Sequence, residues 1–191
     1  MKKLNRGVAI VGTGMSKFGS FPDKTTRDLF VEAYQDMSAA VDKGFDPNEV
    51  EAVYIGNYSS DLFEGQGHTA PIMADWVGLA PRAATRIEDA CASSGVALRQ
   101  GILAIASGAY DMVLVGGAEK MSNLPISGVT DTLATAGDVS FEIPAGFTFP
   151  GFYGAMATAY MHRYGASADA LLRVGIKNPD NGKQNPQAQF Q

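Results

Sequence analysis

The sequence is short of the residues that build redox and metal chemistry, with one cysteine, Cys91, and two histidines, His68 and His162. A single cysteine excludes an internal disulfide and any cysteine-based metal cluster. It leaves Cys91 as either a small buried hydrophobe or a reactive thiol. Positive charge is scarce too: 15 Lys and Arg stand against 20 Asp and Glu, a net charge of −5. No Lys/Arg cluster stands out that could neutralise a phosphate backbone, so nucleic acid is excluded as the expected partner. No uncharged apolar run approaches the roughly 18 residues of a membrane span. The apolar run at residues 8–11, behind Lys2 and Lys3, is too short for a signal-peptide core. The expectation is a cytoplasmic protein with no membrane partner.

What is present suits a packed globular chain. Apolar residues make up 46% and charged ones 18%, and 22 glycines punctuate the sequence, a balance too apolar for disorder. A length of 191 residues allows one ordinary core and a smaller appended lobe. Gly7-Val8-Ala9-Ile10-Val11-Gly12-Thr13-Gly14 reads as a first buried strand entering a tight turn. Thr25 or Thr26 can cap a helix carrying Leu29, Phe30, Ala33, Met37, Ala40 and Val41 at helical spacing, ended by Gly44. After a short turn at Asp46-Pro47-Asn48-Glu49, residues 52–56 read as a second strand. Residues 69–77 read as a helix, residues 84–87 as a third strand and residues 94–106 as a helix of small residues closed by Gly108. Residues 111–117 form a continuous apolar run, the pattern of a parallel strand covered on both faces. This order predicts a layered α/β fold. Residues 122–152 show no sustained period and read as an irregular insertion. Helical stretches follow at residues 154–164 and 167–176, and the tail from residue 178 is polar, with Pro179 and Pro186.

Cys91 gains interest from its setting. It follows a strand and precedes a helix, a position where unpaired backbone N–H groups favour an anion and hence the nucleophilic thiolate. Ala90, Ala92, Ser93, Ser94 and Gly95 leave room for a substrate and for backbone amides to face a developing oxyanion.

The stretch Glu88-Asp89-Ala90-Cys91-Ala92-Ser93-Ser94-Gly95, followed by Gly116-Gly117-Ala118-Glu119-Lys120-Met121-Ser122, resembles the nucleophile motif and the following strand-loop motif of thiolases. The opening residues 8–14 fit the same pattern. Toward the end, Thr148-Phe149-Pro150-Gly151-Phe152-Tyr153-Gly154, Tyr164-Gly165-Ala166-Ser167 and Asn185-Pro186-Gln187-Ala188-Gln189-Phe190 are similar to sterol-carrier-type and archaeal acetoacetyl-CoA thiolases. The resemblance implies the amino-terminal half of a thiolase-like α/β/α fold, with a core at residues 1–121 that lacks its last strand. Residues 122–191 would then be part of a loop domain covering a pantetheine channel.

It further implies that Cys91 takes an acyl group as a thioester and passes it to coenzyme A or to an acetyl-CoA carbanion. Met121, Phe152 and Tyr153 become candidates for substrate binding, although a Met and two aromatics in such a place are more often core. Acyl-CoA and CoA would be substrate and product, with no resident cofactor and no metal. The chain departs from the family in what it lacks. It has no His-containing loop, no Gly-His-Pro-like turn and no second cysteine; His68 and His162 match neither family histidine, and Lys177-Asn178-Pro179 stands where close relatives carry Lys-Asn-His. The expectation is therefore a truncated product, or an oligomeric subunit whose complementary chain supplies the missing strand and acid/base groups, with a small OB-fold protein as a further partner. Two alternatives stay open: a ketoacyl-synthase-like condensing enzyme acting on carrier-protein substrates, and a non-catalytic binding or scaffold subunit.

Overall fold

The computed structural model describes residues 6–190; Lys2 and Lys3 lie outside the described residues. The chain divides into two compact units. One runs up to Ser16 and from Phe21 to Asn123, and the other comprises Lys17–Ser20 and the chain from Leu124 onward.

The first unit opens its regular structure with α1, Thr26–Ala39. Thr25 caps it in a reciprocal box: the Asp28 N–H donates to Thr25 Oγ1 at 3.4 Å, and the Thr25 N–H donates to Asp28 Oδ2 at 2.7 Å. The Thr25 backbone bond, followed by its side-chain bond, holds the Asp28 carboxyl below its usual value of 3.8. Thr25→Ala is expected to cost about 1 kcal/mol at neutral pH, read by urea unfolding. The loss should be smaller in acid, because Asp28's contribution is present above its unfolded-state value and disappears as the pH falls through its depressed one.

A short 3₁₀ turn, Pro47–Glu49, leads into strand β1, Ala52–Gly56. Next come α2, Ser60–Phe63; α3, Thr69–Trp76; strand β2, Ala83–Ile87; α4, Ser93–Ser107; and strand β3, Val113–Gly117. The three strands form one parallel sheet in the order β2-β1-β3, with Ala52 in register with both Ala83 and Val113. Side chains alternate across the central strand. Val53 and Ile55 are fully buried with Phe30 of α1 and with Ala70, Met73 and Ala74 of α3. On the other face Tyr54, Val113 and Val115 approach Gly101 of α4. Helices thus cover both faces, the layered α/β architecture. Each large side chain buried here contributes about 1.5–3 kcal/mol.

Two sequence expectations fail for the same reason. Residues 8–11 form no strand, and Val8, Ile10 and Val11 are 37%, 71% and 62% exposed. An apolar run becomes a strand only when a neighbour accepts its backbone hydrogen bonds, and this one pairs with none of the three described strands. Its glycines serve packing instead: a Cβ on Gly14 would lie 2.2 Å from the Met37 backbone nitrogen of α1. Likewise β3, the most apolar run in the sequence, is an edge strand of intermediate burial, whereas the central β1 carries the buried positions. Helix α1 also stops at Ala39, ahead of Gly44, which adopts φ 83° in the following turn.

The second unit is helical: α5, Ile126–Ala134; α6, Phe149–Tyr164; and α7, Asp169–Gly182. Helix α5 lies inside the stretch that reads as irregular, since Gly128, Thr130 and Thr132 are weak helix formers and contact with α6 supplies what propensity does not. Helix α7 runs through Pro179, giving up one backbone hydrogen bond on a solvent-exposed helix. The Phe18 N–H donates to the Gln187 carbonyl at 2.8 Å, tying Lys17–Ser20 to the tail. No helix among the described residues is long and apolar enough to cross a membrane.

Candidate active site around Cys91

Parallel strands place all their carboxyl ends on one edge, and in open α/β sheets that edge is where ligands are met. Here the edge is formed by Gly56, Ile87 and Gly117 and by the loops they enter. Cys91 lies four residues past β2, in a 3₁₀ turn Ala90–Ala92 that runs directly into α4, and it is exposed. The turn is strained: Ala90 has φ 45°, a left-handed conformation disfavoured for any residue with a Cβ. It is held by local bonds. The Ala90 N–H donates to Glu88 Oε1 at 2.6 Å, the Asp89 N–H donates to Ser93 Oγ at 2.9 Å, and that hydroxyl donates to the Ala90 carbonyl at 2.7 Å. No side chain caps the start of α4; the Ala92 and Ser93 N–H groups donate to the Asp89 and Ala90 carbonyls of the turn itself, and the helix terminus beside Cys91 still presents the positive end of its dipole.

Small residues let this helix terminus descend onto the sheet. A Cβ on Gly56 would fall 2.5 Å from both Cα and N of Ser94, and one on Gly117 would fall 2.5 Å from the Gly56 carbonyl oxygen and from Ser94 Oγ. The turn around Cys91 is thus seated by two glycines, one at the end of β1 and one at the end of β3.

Beside that seat lies a polar cluster that sequence reading does not single out. Residues 57–60 leave the central strand and need backbone partners beyond its end. The Tyr58 and Ser59 N–H groups are met from the β3 side. Glu119 Oε2 accepts from the Tyr58 N–H at 2.7 Å, and Oε1 accepts from the Ser59 N–H at 3.1 Å and from the Asn57 side-chain amide at 3.2 Å. The Asn57 and Tyr58 carbonyls are met from the β2 side. Arg86 donates through Nε to the Asn57 carbonyl at 3.3 Å and through Nη2 to the Tyr58 carbonyl at 2.8 Å. Arg86 also pairs with Asp61 at 2.7 Å, and this bond holds the Asp61 carboxyl below its ordinary value. Burial pushes the Glu119 carboxyl above its usual 4.5, against the opposing pull of the Tyr58 and Ser59 amides and of Arg86. The sequence signals were a charged residue within strand β2 and a carboxylate two residues past the glycines that end β3.

The other sequence candidates are spread over both units. Met121 follows β3 in the first unit and is 43% exposed. Phe152 and Tyr153 are on α6 in the second, where Phe152 stacks on Phe147 at 5.1 Å and Tyr153 is 59% exposed. His68 precedes α3 with φ 57°, and His162 occupies the last turn of α6. Among the described residues no group of three His, Cys, Asp or Glu side chains could hold a metal ion. A cavity of about 160 Å³ opens between α1 and α3, lined by Thr26, Glu64 and Thr69 among others and not by Cys91.

Comparison with known proteins bears on this edge of the sheet. Residues 8–191 match the family described as "Thiolase, N-terminal domain". The chain is 42% identical over 185 residues to proteins named acetyl-CoA acetyltransferase from Methanothermobacter thermautotrophicus and from Methanocaldococcus jannaschii, with 97% of the chain covered in each case. It is 27% identical over 191 residues to a benzoylsuccinyl-CoA thiolase subunit of Thauera aromatica. The chain spans about half the length of these relatives, 47% and 46% for the two archaeal proteins.

Proposed function

Because the chain belongs to the thiolase family through its amino-terminal domain, we propose that it is the nucleophile-bearing half of an acyl-CoA acyltransferase of thiolase type, with Cys91 as the acyl acceptor. The observation that carries this reading is the position of Cys91: exposed, on a strained turn, at the carboxyl edge of a parallel sheet and beside a helix terminus without a side-chain cap. In the proposed step the Cys91 thiolate attacks the thioester carbonyl of an acyl-CoA, a carbon–sulfur bond forms at Cys91, and coenzyme A departs as its thiolate and takes up a proton. The amides at the start of α4 would face the oxyanion of the tetrahedral intermediate. The acyl group then passes to coenzyme A or to an acetyl-CoA carbanion, the same groups serving cleavage and condensation.

The proposal extends to the remaining sequence candidates. Met121 is assigned to substrate contact on the edge that carries Cys91, and Phe152 and Tyr153 are assigned to the pantetheine arm, on the family resemblance. Neither histidine belongs to the Cys91 turn, so the proton transfers are assigned to a complementary thiolase half or subunit; a small OB-fold protein is a further proposed partner.

Intact-mass spectrometry of the purified chain, with whatever co-purifies, before and after acetyl-CoA, tests the reading. One added acetyl group, absent in Cys91→Ala, is the expected result. No adduct in the presence of a complementary chain would overturn it in favour of a binding subunit, and acylation only from a carrier-protein thioester would favour a ketoacyl-synthase-like enzyme.

A further inference from the structure

Glu119 and Arg86 do not touch the proposed reacting atoms, yet together they grip the loop that leaves the central strand. One takes the Tyr58 and Ser59 N–H groups and the other the Asn57 and Tyr58 carbonyls. Each grip is also one short step along the chain from the seat of Cys91. Arg86 belongs to β2, and the next residue, Ile87, accepts the Asn57 N–H at 3.1 Å. Glu88 then binds the Ala90 N–H at 2.6 Å, immediately before Cys91. On the other flank Glu119 lies two residues beyond Gly117, whose Cα faces Ser94 of α4, and Asn57 directly follows Gly56, which touches the backbone of Ser93 and Ser94. The Asn57 amide closes the arrangement by donating to the Ala118 carbonyl at 2.9 Å. Loosening the loop therefore loosens both glycine rests under the first turn of α4 and the start of the Cys91 turn.

We infer that Glu119 is a positioning residue: its ionised carboxylate, working with Arg86, locks the carboxyl ends of the three strands together and thereby fixes Cys91 against the start of α4. The inference rests on the reading of Cys91 as a nucleophile but is tested without acyl transfer. All three bonds to Glu119 come from N–H donors, so the clasp is complete only when the group is ionised. The charged groups acting on Glu119 are Arg86, which favours the ionised form, and Glu64, which opposes it; Asp61 faces Arg86 and shares its charge. Neighbouring Lys120 is turned away, donating to the Phe21 carbonyl at 2.7 Å and to that of Lys24. Burial shifts the titration of Glu119 upward, so the folded state loses stability as the pH rises through that raised value and the carboxylate ionises. Ionisation completes the clasp at some expense in stability, which separates a positioning role from a purely structural one.

The test is the rate at which iodoacetamide alkylates Cys91 in the full chain, measured over about pH 5 to 7, just above the ordinary range of a glutamate. Thiolate formation alone makes the logarithm of the rate rise with a slope of about one per pH unit. In the unmutated chain the slope is expected to steepen toward about two on the acid side, because Glu119 must ionise as well. Glu119→Gln should abolish the steepening and lower the neutral-pH rate about fivefold, the order of a helix-terminus contribution. Arg86→Lys, which keeps the charge and loses the fork, should lower the rate in the same direction. A Glu119→Gln chain with an unchanged melting temperature, rate and slope would overturn the inference. So would a slope near one throughout in the unmutated chain, a measurement that depends on no variant folding. Absence of an acetyl adduct with the alkylation profile intact would remove the acyltransferase reading and leave the positioning role standing.

Discussion

Replacing Gly56 by alanine is expected to destabilise the first unit by about 3 kcal/mol or more, at or beyond the upper end of overpacking costs, and to slow alkylation of Cys91 at the same time. The reason is what the new methyl group meets. Its nearest neighbours are Ser94 Cα and N at 2.5 Å and Ser93 C at 2.7 Å, all backbone atoms of a helix that cannot swing aside as a side chain would. Relief requires lifting the start of α4 off the sheet, and Cys91 is carried by the turn that feeds that helix. Gly116→Ala is the informative comparison. Its Cβ would meet the Phe30 ring at 2.7 Å, and a ring edge can shift, so a smaller loss with little change in Cys91 reactivity is expected. Urea unfolding gives the stability and iodoacetamide kinetics the reactivity. Equal losses in the two variants would mean that Gly56 is an ordinary packing position.

Phe63→Ala should cost about 3–5 kcal/mol, a large share of the roughly 5–15 kcal/mol that holds a typical domain together. Phe63 is 2% exposed and heads the fully buried side chains by volume. It ends α2, a helix of four residues with no side-chain cap at Ser59. So short a helix cannot persist on its own hydrogen bonds. It is held at one end by the burial of Phe63 and at the other by the Ser59 N–H on Glu119. Truncation is therefore expected to melt α2, to release Asp61 from Arg86, and to lower the unfolding midpoint by far more than Leu62→Ala, since Leu62 is 52% exposed. Thermal unfolding followed by circular dichroism, with Phe63→Leu as the volume-retaining control, separates the lost packing from a general intolerance of the site.

Much of the fold was legible because its signals are local. The threonine cap at Thr25 or Thr26, the Asp46-Pro47 turn and Gly108 mark element ends through bonds that span a few residues, and the structure places α1, β1, α3, β2, α4 and β3 within a few residues of the expected spans. Where a signal was weak or depended on a neighbour, reading failed. Helix α5 is too rich in glycine and threonine to announce itself, and α7 passes a proline that reads as an end.

The candidate site divides in the same way. Cys91 was visible because a strand, a thiol and a helix of small residues follow one another along the chain. The clasp around residues 57–60 was not, because Glu119 and Arg86 reach it from 62 and 29 residues away. What the sequence by itself determined is most of the elements of the first unit and the placement of a thiol at the junction of β2 and α4, since hydrogen-bonded turns and side-chain periodicity are written over a few adjacent residues. What only the tertiary structure decided is which strand lies at the centre, that residues 8–11 pair with none of the described strands, and that two charged side chains complete backbone bonds of a loop. Each of these depends on which distant groups meet, and buried backbone donors and acceptors take whatever partner the packed sheet brings to them.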